Sequence, residues 1–172
     1  AKRKVKGLAL VDVSPAVKQV VSSINEWTGH NGATAYIGDV ADAEFRRNVY
    51  EDVTKRYGVP RICVPAAGIT RDAIAVKVDK NTGQVAIYPL ETFRLVLEVN
   101  LIAPIYWALE MVARIAEDRR KWGLGRWEPG ERLQGTVIFI GSISSLGNKG
   151  QISYATTKAG LEGAAATLTA EA

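Results

Sequence analysis

VIFIGSISSLGNKGQISYATTK, residues 137–158, decides how this chain is read. The apolar run Val137-Ile138-Phe139-Ile140 reads as a strand. It leads to Ser142, a glycine-punctuated loop and then an Ala/Gly-rich helical stretch in which Tyr154 and Lys158 stand four positions apart. On a helix, positions i and i+4 share a face. The Lys158 ammonium therefore lies beside the Tyr154 phenol and favours its ionised form, which makes the pair a candidate proton donor and acceptor. By itself such a pair also describes a surface contact on any amphipathic helix, so its meaning depends on the rest of the chain.

Working outward, short apolar runs alternate with longer periodic segments, the pattern of an α/β protein with a parallel sheet. Strands are expected at Leu8 to Val11, Thr34 to Ile37, Arg61 to Val64 and Val137 to Ile140, and helices at Pro15 to Trp27, Ala43 to Tyr57, Glu91 to Arg119 and from Tyr154 onward. Ser14-Pro15 reads as a helix start, because serine caps and proline is tolerated in the first turn. Asp42 is expected to cap the second helix. Val76 to Tyr88 reads as a hairpin around Asn81-Thr82-Gly83. Lys121 to Gln134, with Trp122 and Trp127, extends the link from the long helix to the next strand. Both stretches either shape substrate access, contact another subunit or are plain surface loops.

The 172 residues suit a single domain with a sizeable core. A hydrophobic share of 47% and a charged share of 23% are those of a globular chain, and no apolar run approaches the length of a membrane span. The formal charge of +4 is mild and scattered, which argues against nucleic acid as a partner. The single cysteine, Cys63, falls in a strand-like run and reads as a buried filler. With no disulfide possible within the chain and no signal peptide, a cytoplasmic location is expected. His30 sits in a turn by composition and carries no expected role, and no His/Cys/Glu cluster suggests a metal. Residues 2 to 6 are basic and run into Gly7, resembling the last turn of a helix, while Leu161 to Ala172 is helix-prone to its end; the expectation is that a piece is missing on both sides.

Asp12 and Asp39 close the first two strands at their carboxyl ends, where ligands bind in open α/β sheets. Each is either a ribose-binding acid or a turn and helix-cap residue. Pro65-Ala66-Ala67-Gly68 reads as a sharp small-residue turn that lets a ligand approach the backbone. Asn100 stands within the apolar face of the long helix, and Pro104 deprives its carbonyl of an intrahelical partner, so a kink is expected there.

In this order the residues resemble the short-chain dehydrogenase/reductase family over nearly the whole chain. The shared pattern is Asp12, Asp39-Val40, Ala66-Ala67-Gly68, Asn100, Ser142, Tyr154 and Lys158; Gly147 to Gln151 looks most like 3-oxoacyl-acyl-carrier-protein reductases. The resemblance implies an α/β, Rossmann-type doubly wound parallel sheet, lacking its first strand with the glycine-rich turn and its C-terminal strand. It implies one dinucleotide-binding domain over 1–172. Catalysis would fall to Ser142, Tyr154, Lys158 and Asn100, whose carbonyl would hold a proton-relay water. Cofactor binding would fall to Asp12, Val13, Asp39, Val40, Ala66, Ala67, Gly68, Tyr154 and Lys158. NAD(H) is favoured over NADP(H), because an acid at the strand end repels a 2′-phosphate.

The implied substrate is a secondary alcohol, a ketone or an acyl thioester. A homodimer or homotetramer is implied, with Gly160, Gly163, Ala164 and Ala165 permitting close helix approach, unless these pack on the chain's own sheet. Ala66 stands where the family usually has asparagine. The step from Ser142 to Tyr154 is one residue short of the usual spacing, which makes Ser144 a rival for the serine role. The alternative reading is a non-catalytic nucleotide-binding or scaffold member of the same fold.

Overall fold

The computed structural model describes residues 5–171. Eleven regular elements follow in order: β1 (Leu8–Asp12), α1 (Val17–Thr28), β2 (Ala33–Ile37), α2 (Ala43–Tyr57), β3 (Ile62–Cys63), β4 (Val76–Val78), β5 (Val85–Ile87), α3 (Leu90–Leu97), α4 (Ala103–Lys121), β6 (Thr136–Val137) and α5 (Ile152–Glu171). They gather into two compact units. One takes in the chain up to Arg61 with 110–126 and 132–135, the other 62–109, 127–131 and 136–172.

In the first unit β1 and β2 run parallel, Leu8 opposite Ala33 and Asp12 opposite Ile37. The α1 amide Asn25 holds the start of β2 by taking the Ala33 N–H at 2.9 Å and donating to the Ala33 carbonyl at 3.1 Å. A carboxamide carries the same donor and acceptor pair as a peptide group, so it substitutes for a neighbouring strand. Val17, Ala33, Val49, Tyr50, Val53, Met111 and Ile115 form the core. Asp42 caps α2 as expected, accepting from the N–H groups of Glu44 at 2.7 Å and Phe45 at 3.1 Å.

Helix α1 begins later than Ser14-Pro15 implies: Val17 is its first residue, and Ser14 instead accepts the Ala16 N–H at 3.3 Å in the turn before it. The basic run ending in Gly7 was expected to close a helix. Lys2, Arg3 and Lys4 lie outside the described residues, and Val5 to Gly7 are not helical. Gly7 serves close packing, because a Cβ there would stand 2.5 Å from Cγ of Tyr57.

In the second unit β3 and β6 pair in parallel, Ile62 with Thr136 and Cys63 with Val137, and the Ile138 N–H adds a bond to the Cys63 carbonyl. These ladders are shorter than the apolar runs that predict them. Ile62, Val64, Ile138 and Ile140 are 40–61% exposed, without the further strand partners that would extend pairing among the described residues. The parallel strands form two pairs, β1-β2 and β3-β6. The hairpin β4-β5 forms as predicted, Val76 opposite Ile87 and Val78 opposite Val85. Its turn is tied by the Asp79 carboxylate, which accepts from the N–H groups of Asn81 and Thr82, and Gly83 supplies the left-handed residue at φ 70°.

The expected long helix is continuous from Leu90 to Lys121, but residues Glu98–Ile102 form a π turn between α3 and α4. Ala103 donates to the Glu98 carbonyl across it. Pro104, lacking an N–H, explains why the ladder changes register here. By length and composition this helix could cross a membrane, its best window having a mean hydropathy of 1.6, a feature that a count of unbroken apolar residues misses. Ala103, Trp107, Met111, Ile115 and Arg119 are buried at every fourth position, the stripe of a helix packed into a protein core.

Candidate functional site

The second unit brings Ser142, Tyr154, Lys158, Asn100 and the Ala66–Gly68 stretch together in one compact body. Tyr154 lies in the first turn of α5 and is half-buried. Its hydroxyl has no hydrogen-bond partner among the described residues, so the phenol is available to a ligand. Lys158, one turn further, is buried; its Nζ lies 5.5 Å from the centre of the Tyr154 ring and donates to the Ile140 carbonyl at 2.6 Å. Burial pushes the Lys158 pKa below the ordinary lysine value. The backbone at the end of the Val137–Ile140 run thus fixes the ammonium beside the tyrosine.

Ser142 precedes the 3₁₀ turn Ile143–Leu146 in extended backbone and accepts the Ser144 N–H at 3.2 Å. Its hydroxyl proton is uncommitted among the described residues. Ser144, the rival, is 7% exposed and already donates to Gln151 Oε1 at 2.9 Å. This favours Ser142 as the serine able to meet a substrate oxygen.

Asn100 is 1% exposed, within the π turn. The sequence directed attention to its carbonyl; the structure shows its side chain at work. Oδ1 takes the Ile69 N–H at 2.8 Å and Nδ2 donates to the Ile69 carbonyl at 2.7 Å, the same amide clamp that Asn25 makes on Ala33. The clamp also explains the conformation of Ala66-Ala67-Gly68. The segment from Val64 to Asp72 contains no turn, contrary to the sharp bend expected, because Ile69 is held in extended pairing with an amide. All three small residues are exposed, and a Cβ on Gly68 would stand 3.6 Å from Asn100 Oδ1, an ordinary contact.

The first unit holds the remaining candidates. Asp12 and Asp39 are exposed at the carboxyl ends of β1 and β2, and each uses one oxygen in its own turn. Asp12 accepts the Ser14 N–H at 2.8 Å and Asp39 the Ala41 N–H at 2.9 Å. The turn alternative is thus observed for both acids, and it leaves each a second carboxylate oxygen outside the turn. Val13 is 73% exposed beside Asp12, and Val40 is half-buried.

Three contributors carried no role in the sequence. Gln151 joins the serine loop to Asp72, Tyr88 donates to the Arg71 carbonyl at 2.6 Å and lies 3.0 Å from Ser153 Oγ, and Ile140 seats Lys158. Only the polar run Asn148 to Gln151 before Tyr154 signalled any of them. The small residues of α5 divide. A Cβ on Gly160 would stand 2.9 Å from Leu101, so it packs within the chain, whereas Gly163 faces open space.

Parallel strands alternating with helices define an α/β protein of the Rossmann type. The chain belongs to the short-chain dehydrogenase family, whose model matches residues 1–172. It is similar to 3-oxoacyl-[acyl-carrier-protein] reductase FabG of Escherichia coli, with 28% identity over 150 residues, 87% of this chain and 51% of the relative. The FabG reductases of Buchnera aphidicola and Pseudomonas aeruginosa show 27% identity over 160 residues and 32% over 126, covering 92% and 73% of this chain and 54% and 41% of the relatives. The chain spans about half the length of the curated relatives it matches. A solved structure assigned to a short-chain dehydrogenase of Novosphingobium aromaticivorans shares the fold with a TM-score of 0.71 at 20% identity, over 93% of this chain and 52% of that one.

Proposed function

We propose that the protein is a nicotinamide-dependent oxidoreductase that interconverts a secondary alcohol and a ketone. The observation that carries this reading is the Tyr154 hydroxyl, uncommitted, with the buried Lys158 ammonium 5.5 Å from its ring. The bound cofactor supplies or accepts the hydride. Tyr154 gives a proton to the substrate oxygen in reduction and takes it back in oxidation. Lys158, its Nζ 5.5 Å from the centre of the Tyr154 ring, would hold the nicotinamide ribose beside the phenol. Ser142 donates its free proton to the same substrate oxygen and orients it. Asn100 keeps the loop from Ala66 to Ile69 in place for the cofactor, and its carbonyl, which Pro104 cannot bond, is suited to a water that returns protons towards Lys158.

Each unit taken by itself carries residues suited to part of a nicotinamide dinucleotide. In the first, Asp12 has a carboxylate oxygen left over from its turn that would accept from an adenosine ribose, and Asp39-Val40 would meet the adenine; in the second, Ala66, Ala67 and Gly68 present exposed backbone without bulky side chains. Asp12 favours NAD(H), because a 2′-phosphate would meet its charge. Similarity to the FabG reductases and the run Gly147 to Gln151 support a 3-oxoacyl or 3-hydroxyacyl thioester as substrate. We further propose that the chain is a single dinucleotide-binding domain and works as a homodimer or homotetramer in the cytoplasm. A panel of ketones, alcohols and acyl thioesters, assayed with NADH, NADPH and their oxidised forms on the natural full-length chain, tests this. Turnover supports the enzyme; cofactor binding with no turnover across the panel would replace it with a non-catalytic nucleotide-binding protein.

A further inference from the structure

Gln151 stands where three segments meet. Its Oε1 accepts from Ser144 Oγ at 2.9 Å and from Asn148 Nδ2 at 2.8 Å, and its Nε2 donates to Asp72 Oδ2 at 2.8 Å. Its backbone forms a parallel bridge with Ala73, reinforced by the Ala73 N–H donating to the Gly150 carbonyl at 2.8 Å. The Gln151 carbonyl takes the Ala155 N–H at 2.7 Å and so starts the helix whose first turn carries Tyr154. Ser144, buried at the other end of this chain of bonds, donates its N–H to Ser142 Oγ. Only a side chain with an acceptor for two hydroxyl or amide donors and a donor for a carboxylate satisfies all of these partners, and a carboxamide is that group.

We propose that Gln151 is a positioning residue that sets the place of the Ser142 hydroxyl relative to Tyr154, acting through Ser144 and braced by Asp72. The inference rests on the proposed oxidoreductase function. Leucine at 151 removes every side-chain bond at similar size. Glutamate keeps both acceptor contacts but sets a second carboxylate against Asp72, and Asp72→Asn in the same molecule supplies the missing donor again.

The experiment measures kcat and KM for ketone and NADH in the natural full-length chain, with melting temperature alongside, for Gln151→Leu, Gln151→Glu, Asp72→Asn and the double variant Asp72→Asn/Gln151→Glu. A misplaced catalytic group costs roughly ten- to hundredfold in rate, so kcat falls by that amount in Gln151→Leu and Gln151→Glu. KM for NADH stays within about twofold of wild type, since uniform binding is untouched. The double variant recovers most of the kcat that Gln151→Glu loses. Unchanged kcat in folded Gln151→Leu, or a double variant no faster than Gln151→Glu, overturns the proposal; should Gln151→Leu fail to fold, the glutamate pair decides. Tyr154→Phe runs beside them. Turnover that survives Tyr154→Phe defeats the oxidoreductase reading itself, whereas its loss together with a normal Gln151→Leu defeats only the role of Gln151.

Discussion

Replacing Asn100 with alanine removes both halves of the Ile69 clamp, bonds of 2.8 and 2.7 Å made by a side chain that is 1% exposed. A net contribution of about 1 kcal/mol per hydrogen bond gives about 2 kcal/mol. The cavity left by the amide adds about 1 kcal/mol, for a loss near 3 kcal/mol in all. At about 2–4 °C per kcal/mol for a domain of this size, the melting temperature falls by about 6–12 °C. Urea unfolding followed by circular dichroism measures the loss, with an unchanged m-value showing that the unfolded state is unaltered. Amide exchange adds a local readout, because the Ile69 N–H loses its acceptor and its protection falls further than that of neighbouring amides. Asn100→Asp restores the acceptor but not the donor and places a charge in a buried site, so it does no better than alanine. A loss below about 0.5 kcal/mol in Asn100→Ala, within the range of an ordinary surface substitution, refutes the clamp as the determinant of this loop.

Lys158→Met removes a buried ammonium whose pKa burial holds below the ordinary lysine value. The folded state binds fewer protons there than the unfolded state, so wild-type stability relative to the methionine variant rises with pH between the lowered folded value and about 10.4; a difference that stays flat or reverses over this range contradicts the burial. Asp12→Arg removes the carboxylate at the end of β1 and shifts the ratio of NADH to NADPH affinity towards NADPH by about tenfold or more, read by cofactor titration. Gly7→Ala brings a Cβ within 2.5 Å of the Tyr57 ring and costs about 1–3 kcal/mol in denaturant unfolding.

Much of the fold was legible wherever the deciding interaction is local. Helix α2 begins and ends where expected, because Asp42 caps its first turn and Gly58 donates to the Thr54 carbonyl at its end. The hairpin was legible because its turn carries its own ties at Asp79 and Gly83. Strand lengths were not, since β3 and β6 extend only as far as each finds the other. Gly7 read as a helix terminus because its use depends on Tyr57, fifty positions away in sequence.

Within the site, Tyr154 and Lys158 were legible from a four-residue step on a helix, but nothing local revealed that Ile140 would hold the lysine. Asn100 stands out in the sequence as a polar residue in an apolar face, yet spacing gives no hint that its side chain takes up Ile69. The Ala66–Gly68 stretch reads as a bend from its composition, and the amide that holds it straight lies on another element. Nothing local in the sequence shows that Gln151 takes up the Ser144 hydroxyl.

The central claim is that Tyr154 moves the proton that accompanies hydride transfer. Its most direct test is single-turnover hydride transfer in the natural full-length chain with Tyr154→Phe, measured together with NADH affinity. The account predicts that the rate falls by about a hundredfold or more, the usual worth of a positioned general acid, while NADH binds as in wild type. A near-normal rate with the phenyl ring in place would contradict the assignment and leave the Tyr154 and Lys158 pair as a structural contact on α5.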